Sequence, residues 1–224
     1  MKIGTKSVLY GAHCFFIHPI FVMVAWWKLY GFPNNIQYWI AFFVHDLGYW
    51  GKPNMDGPEG ETHVELGANI MGWLFDFHIG TLRGEFYKLT HGQIWMACYE
   101  WVYVEKYSWK WAEFSKYHSR FYAKKDKAQY SKLCVADKLA ICIEPMWLYL
   151  FRVNLTGEVN EYMAKAADKE GKNASMKLTT VNQKEWFKSM GAYLREWVET
   201  HKDLKPDTWT PEYKESINDQ GVWK

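Results

Sequence analysis

A chain of 224 residues, 49% of them apolar, is long enough for one domain with a sizeable core and an appendage. A net charge of +2 excludes strong electrostatic attraction to nucleic acid or anionic lipid, so neither is favoured as a partner. The aromatic share of 19%, with 14 Trp, supplies a core and leaves rings to line a pocket for a flat ligand.

Residues from about Ser7 to Tyr30 read as one helix, apolar nearly all round and therefore buried. Its apolar stretch is interrupted by His13, His18 and Pro19, and no small-residue cleavage site follows. Neither a signal peptide nor a membrane span is expected. Gly31 to Asn35 break the chain, with Asn35 a candidate cap for a helix from Ile36 to about Leu47. That helix ends in Trp39-Ile40-Ala41-Phe42-Phe43-Val44-His45-Asp46. A carboxylate in such apolar company is costly unless a metal ion or a cationic group sits beside it. Gly48 to Gly60, rich in Gly and Pro, reads as an irregular loop of functional length.

A third helix starts near Glu61 or Thr62, with His63 in its first turn and Leu66, Ile70, Trp73 and Leu74 at helical spacing. After a break around His78 to Gly84, residues Phe86 to Tyr117 read as one or two aromatic-rich helices. A long apolar helix spans about Ala128 to Phe151, with Pro145 expected to kink or break it. Beyond Thr156 the composition turns polar. A loop covers Asp168 to Thr180, an amphipathic helix Gln183 to His201, and an extended tail runs from Lys205. No strand alternation stands out, so the fold class is all-α: a helical domain over 1–155, and a helical extension and tail over 156–224 packed on the same body. Cys14, Cys98, Cys134 and Cys142 form no CxxC pair and lie in apolar stretches, which reads as reduced thiols in a cytoplasmic protein.

The chemistry-bearing residues are His18, His45, Asp46, His63, His118 and Asp137, spread over at least four expected helices. Imidazole with carboxylate suits one or two divalent transition ions (Mn, Fe, Co or Zn), and bundle-core metal sites take ligands from separate helices. Asp137 has a bland alternative as a surface residue beside Lys138. His13, His78, His91 and His201 read as core histidines, with His13 the competitor of His18 for the first ligand position.

The succession His18, His45-Asp46, Asp137 resembles the HD superfamily of metal-dependent phosphohydrolases, across about residues 8–150. His63-Val64-Glu65-Leu66-Gly67-Ala68 is similar to the helix start His-x-x-x-Gly-Ala of that family. His118-Ser119-Arg120 with Ala136-Asp137 resembles the corresponding segments of its dinuclear members. The resemblance implies an HD-type helical bundle in which His18, His45, Asp46 and Asp137 hold one ion. His63 and His118 would hold a second, with Asp46 bridging. Many HD proteins place Lys directly after His-Asp-x-Gly; here Tyr49-Trp50-Gly51 intervene before Lys52.

The implied activity is hydrolysis of a nucleotide or related small phosphoester by a metal-activated water. Asp46 is then catalytic, and Lys52, Arg120 and Lys124 are placed to meet phosphate, with Lys125 a solvated neighbour. In the loop, Asn54, Asp56, Glu59 and Glu61 are candidates to close over substrate, Glu61 equally a helix-start residue. Tyr49 and Trp50 suit either stacking on a base or packing of a lid. Two other classes share the same residues: a mixed-valent di-iron oxygenase of HD type acting on a small polar substrate, and a non-catalytic ligand-binding HD module. The expected partner is a phosphorylated small molecule, and a homo-oligomer is compatible with the chain.

Overall fold

The computed structural model describes residues 1–76, 81–88, 95–102, 110–168 and 176–209, with backbone alone for the two middle strands. Its body is all-α. In chain order the helices are α1 (Ile3–Tyr10), α2 (His18–Tyr30), α3 (Ile36–Val44), α4 (Pro58–Glu61), α5 (Val64–Phe75) and α6 (Lys110–Lys116). After these come α7 (Arg120–Lys125), α8 (Lys132–Ile143), α9 (Met146–Thr156), α10 (Glu158–Ala167) and α11 (Gln183–His201).

The expected first helix is two helices. Tertiary partners take the backbone groups that would have continued α1. The Arg152 guanidinium donates to Gly11 O, and Ala12 N–H donates to Glu158 Oε2 at 3.2 Å. The chain restarts at His18 with Pro19 in the first turn, a position where the missing N–H costs nothing. Asn35 does stand at the start of α3, but its side chain makes no capping bond; its carbonyl accepts from Tyr38 N–H at 3.1 Å instead. The segment 48–60 is less irregular than its composition implies. A 3₁₀ turn covers Leu47–Tyr49 and α4 closes the loop.

The helices expected over Phe86–Tyr117 are corrected most. Thr81–Lys88 (β1) and Trp95–Val102 (β2) pair antiparallel, in the register Thr81 to Val102. Trp95, Tyr99 and Trp101 recur at a period of two, and aromatic residues favour a pleated surface. Among the described residues the next helix is α6. There Asp76, just beyond α5, accepts the N–H groups of Trp111 and Ala112 and so steadies the first turn of α6. Pro145 ends the next long helix as expected, separating α8 from α9.

The main core joins Val22, Ala25 and Trp26 of α2, Ala41 and Phe42 of α3, Met71 of α5, and Leu133, Ala136 and Ala140 of α8. In α5 the expected apolar face is displaced: Val64, Gly67, Ala68 and Met71 are buried, whereas Leu66, Trp73 and Leu74 face outward. Small residues on the inner face let α5 approach α3 closely, and the larger rings turn to solvent. Two further clusters cross position 155. Tyr149, Leu150 and Val153 pack with Val159, Trp186 and Phe187, and Cys134 and Val135 pack with Trp197 and Val198. The extension therefore shares the body. Its tail is held by Tyr130, whose hydroxyl donates to Lys205 O, and by Trp209 against His201; positions 210–224 lie outside the described residues.

Glu144 and Arg152 form a buried ion pair, closed by the Arg152 bond to Gly11. Removing one partner strands a charge, so Arg152→Leu is expected to cost about 3–5 kcal/mol. Urea unfolding measures it; a loss within about 1 kcal/mol would mean that the pair is replaceable.

Candidate metal centre

Five of the six proposed ligands stand at helix ends. His18 opens α2, His45 closes α3, Asp46 starts the 3₁₀ turn, His63 precedes α5, and His118 lies in the short link from α6 to α7. Asp137 alone sits within a helix, on the inner face of α8. All six are between 1% and 7% exposed. That burial removes the surface reading of Asp137.

They fall into two groups that share one residue. His18, His45, Asp46 and Asp137 present ligand atoms within 4.8 Å of one another, and so do Asp46, His63 and His118. Asp46 divides its oxygens between them. Oδ2 lies 3.1 Å from His45 Nε2 and 3.4 Å from His18 Nε2; Oδ1 lies 3.4 Å from His118 Nε2 and 3.7 Å from His63 Nε2. Asp137 Oδ1 completes the first group, 2.9 Å from His18 Nε2 and 3.9 Å from His45 Nε2.

Which nitrogen faces inward follows from the local fold. A histidine at the end of a helical turn can donate its Nδ1–H to the carbonyl three residues back. His45 does so to Phe42 O at 3.0 Å, His63 to Gly60 O at 2.8 Å and His118 to Ser115 O at 2.5 Å. Each Nε2 lone pair is thereby turned into the site, the outer-shell arrangement that readies imidazole for a metal. His63 Nε2 and His118 Nε2 face each other at 3.1 Å, and no donor reaches His45 Nε2 or Asp46 Oδ2. With both Nδ1–H groups spent on carbonyls, neutral His63 and His118 present two acceptor nitrogens beside the Asp46 carboxylate, an arrangement that suits a cation. The two groups can hold a metal ion.

The electrostatics agree. Burial alone would raise Asp46 and Asp137, but the histidines around Asp46, and Lys138 with His18 and His45 around Asp137, hold both well below the usual carboxylate range. Burial and the neighbouring His118 keep His63 well below the ordinary imidazole value. For His45 burial acts downward too, yet Asp46 and Asp137 outweigh it and lift the ring to about 10. Without an ion, then, His45 carries a proton at neutral pH. An ion must displace that proton, so metal affinity is expected to rise with pH by up to about tenfold per unit below that value. Calorimetry in buffers of different ionisation enthalpy reads the released proton; buffer-independent heats would contradict it.

Two glycines make the convergence possible. A Cβ on Gly48 would lie 1.7 Å from His63 O, and one on Gly67 would lie 2.7 Å from Val44 O. The 3₁₀ turn therefore touches the His63 backbone, and α5 touches the end of α3. Gly48→Ala is expected to push His63 from Asp46 and release the second ion while the first is kept. Metal analysis decides, and full loading of the variant would refute it.

The expected phosphate-binding cations have other partners. Lys52 Nζ donates to Thr62 Oγ1, the Arg120 guanidinium lies 5.0 Å over the Trp197 ring, and Lys124 Nζ is 4.0 Å from Asp207 Oδ2. The loop expected to close over substrate is clamped. Glu161 of α10 accepts the N–H of Met55 and Asp56, Asn54 bonds Glu59, and Gly51 N–H donates to Thr5. Tyr49 stacks on His63, with ring centroids 4.0 Å apart, which favours packing over base stacking for this residue; Trp50 is 58% exposed. Glu61 is buried in the last turn of α4.

Lys138 went unremarked as a site residue, although its Nζ lies 2.7 Å from Asp137 Oδ2; adjacency in sequence was the available signal. His201 is a core histidine, stacked on Trp197 and bonded to Trp197 O, while His78 and His91 lie outside the described residues. His13 is not among the metal-group residues, yet it shares a cavity wall with His18, His45 and Asp46. No protein-family model matches the chain, and no curated protein or solved structure matches it significantly.

Proposed function

We propose that this chain is a dinuclear, metal-dependent phosphohydrolase of HD type, acting on a nucleotide or related small phosphoester. The observation that carries the reading is Asp46, whose two oxygens face two separate groups of buried acceptors. Two divalent ions so placed would lower the pKa of a water between them and neutralise phosphoryl charge. The histidines keep their lone pairs aimed inward through the three carbonyl bonds. Asp137 stays ionised beside Lys138, and Tyr49 fixes the His63 ring by stacking. The ions that fit imidazole with carboxylate are Mn, Fe, Co or Zn.

A cytoplasmic setting belongs to the same reading. Cys14, Cys134 and Cys142 are free, and burial pushes the Cys134 thiol up to about 12, an inert state. Among the described residues no helix is long and apolar enough to cross a membrane.

The test combines metal analysis of the purified protein with phosphate and nucleoside release from a broad nucleotide panel in Mn, Fe, Co and Zn. Release with any of these ions supports the reading. Oxygen uptake with reduced iron, without release, would replace it by the di-iron oxygenase. Full metal loading with neither activity would leave a ligand-binding module.

A further inference from the structure

Beside the first ligand group lies a polar chain that the metal assignment leaves unused. Glu158 of α10 is fully buried and receives Ser7 Oγ–H at 3.1 Å, Ala12 N–H at 3.2 Å, Thr156 Oγ1–H at 2.6 Å and Tyr162 O–H at 3.0 Å. With its proton given to Glu158, Ser7 Oγ can only accept from His13 Nδ1, 2.9 Å away. The remaining lone pair of His13 is therefore on Nε2. Its ring lies 4.5 Å from Tyr49 and 5.8 Å from His18. His13, His18, His45 and Asp46 line one cavity of about 10 Å³. That is the room of a single water, too small for any substrate group.

We propose that His13 is a positioning residue of the metal centre, whose Nε2 accepts a hydrogen bond from one water seated in this cavity beside the first ion. The inference rests on the metal reading above. Ser7 and Glu158 set the tautomer, so residues of the C-terminal extension act on the site through α1. A ring held in this way orients the water without displacing it, as outer-shell partners do.

The test uses the cobalt-loaded protein and four chains: wild type, His13→Leu, His13→Gln and Ser7→Ala. Metal content, the visible cobalt spectrum, azide affinity and turnover are measured on each. His13→Leu is expected to keep wild-type metal content, to shift the spectrum and to change azide affinity by about tenfold. Its kcat is expected to fall by roughly 10–100-fold with KM nearly unchanged. His13→Gln, whose amide oxygen reaches the position of Nε2, should recover most of this, and Ser7→Ala should shift the same readouts by less. A wild-type spectrum and azide affinity in His13→Leu would overturn the proposal. Loss of the first ion in that variant would also overturn it, by making His13 a ligand. Wild type that loads cobalt but hydrolyses nothing sinks the phosphohydrolase alone, because the spectrum and azide affinity still report on His13. Wild type that takes up no metal sinks both.

Discussion

Asp46→Ala is expected to abolish binding of both ions and to lower turnover by roughly a thousandfold or more. The reason is geometric: among the described residues Asp46 alone is common to the two groups, one oxygen facing each. Single-group variants should behave differently. Asp137→Ala removes an oxygen of the first group only, and His63→Ala a nitrogen of the second only. Each is expected to lose one ion and retain the other. Metal analysis of the three proteins, with circular dichroism to show that each is folded, separates the cases. Unchanged metal content in Asp46→Ala would sink the whole centre. Intact stoichiometry and activity in His63→Ala would sink the dinuclear arrangement alone.

Removing metal is expected to lower thermal stability by about 5–10 °C. Ligand bound at a hundred times its dissociation constant stabilises by about 2.7 kcal/mol, and a chain of this length shifts by roughly 2–4 °C per kcal/mol. The metal-free protein also holds the His63 and His118 Nε2 atoms 3.1 Å apart, with both Nδ1–H groups spent on carbonyls. Scanning calorimetry with and without a chelator measures the difference. Restoration by added Mn or Co completes the test; a melting temperature indifferent to metal would argue that the cluster is held by its backbone bonds alone.

The two carboxylates of the buried cluster were legible because their cost was visible. Asp46 after Ile40-Ala41-Phe42-Phe43-Val44 and Asp137 within Leu133-Cys134-Val135-Ala136 are charges placed where only a partner can justify them. The helix boundaries at Asn35 and Pro145 were equally plain, because the Gly31–Asn35 breaker and a proline cannot continue a helix. What stayed hidden depends on residues far apart in the chain. The break at Gly11 comes from Arg152 and Glu158, more than a hundred positions away. The contacts of Lys52, Arg120 and Lys124 with Thr62, Trp197 and Asp207 are likewise visible only in the fold.

Sequence alone thus determined the helical class of the body and the identity of the acceptors, because burial cost and backbone propensity act residue by residue. The resemblance implied two groups joined through Asp46, and the tertiary structure brings these residues together in two such groups. Only the tertiary structure decided which imidazole nitrogen faces inward, since that depends on the Phe42, Gly60 and Ser115 carbonyls standing where each turn ends. The place of His13 beside the site is decided there too. Its tautomer is set by Glu158 through Ser7, and no reading of one segment contains a contact made across 151 positions.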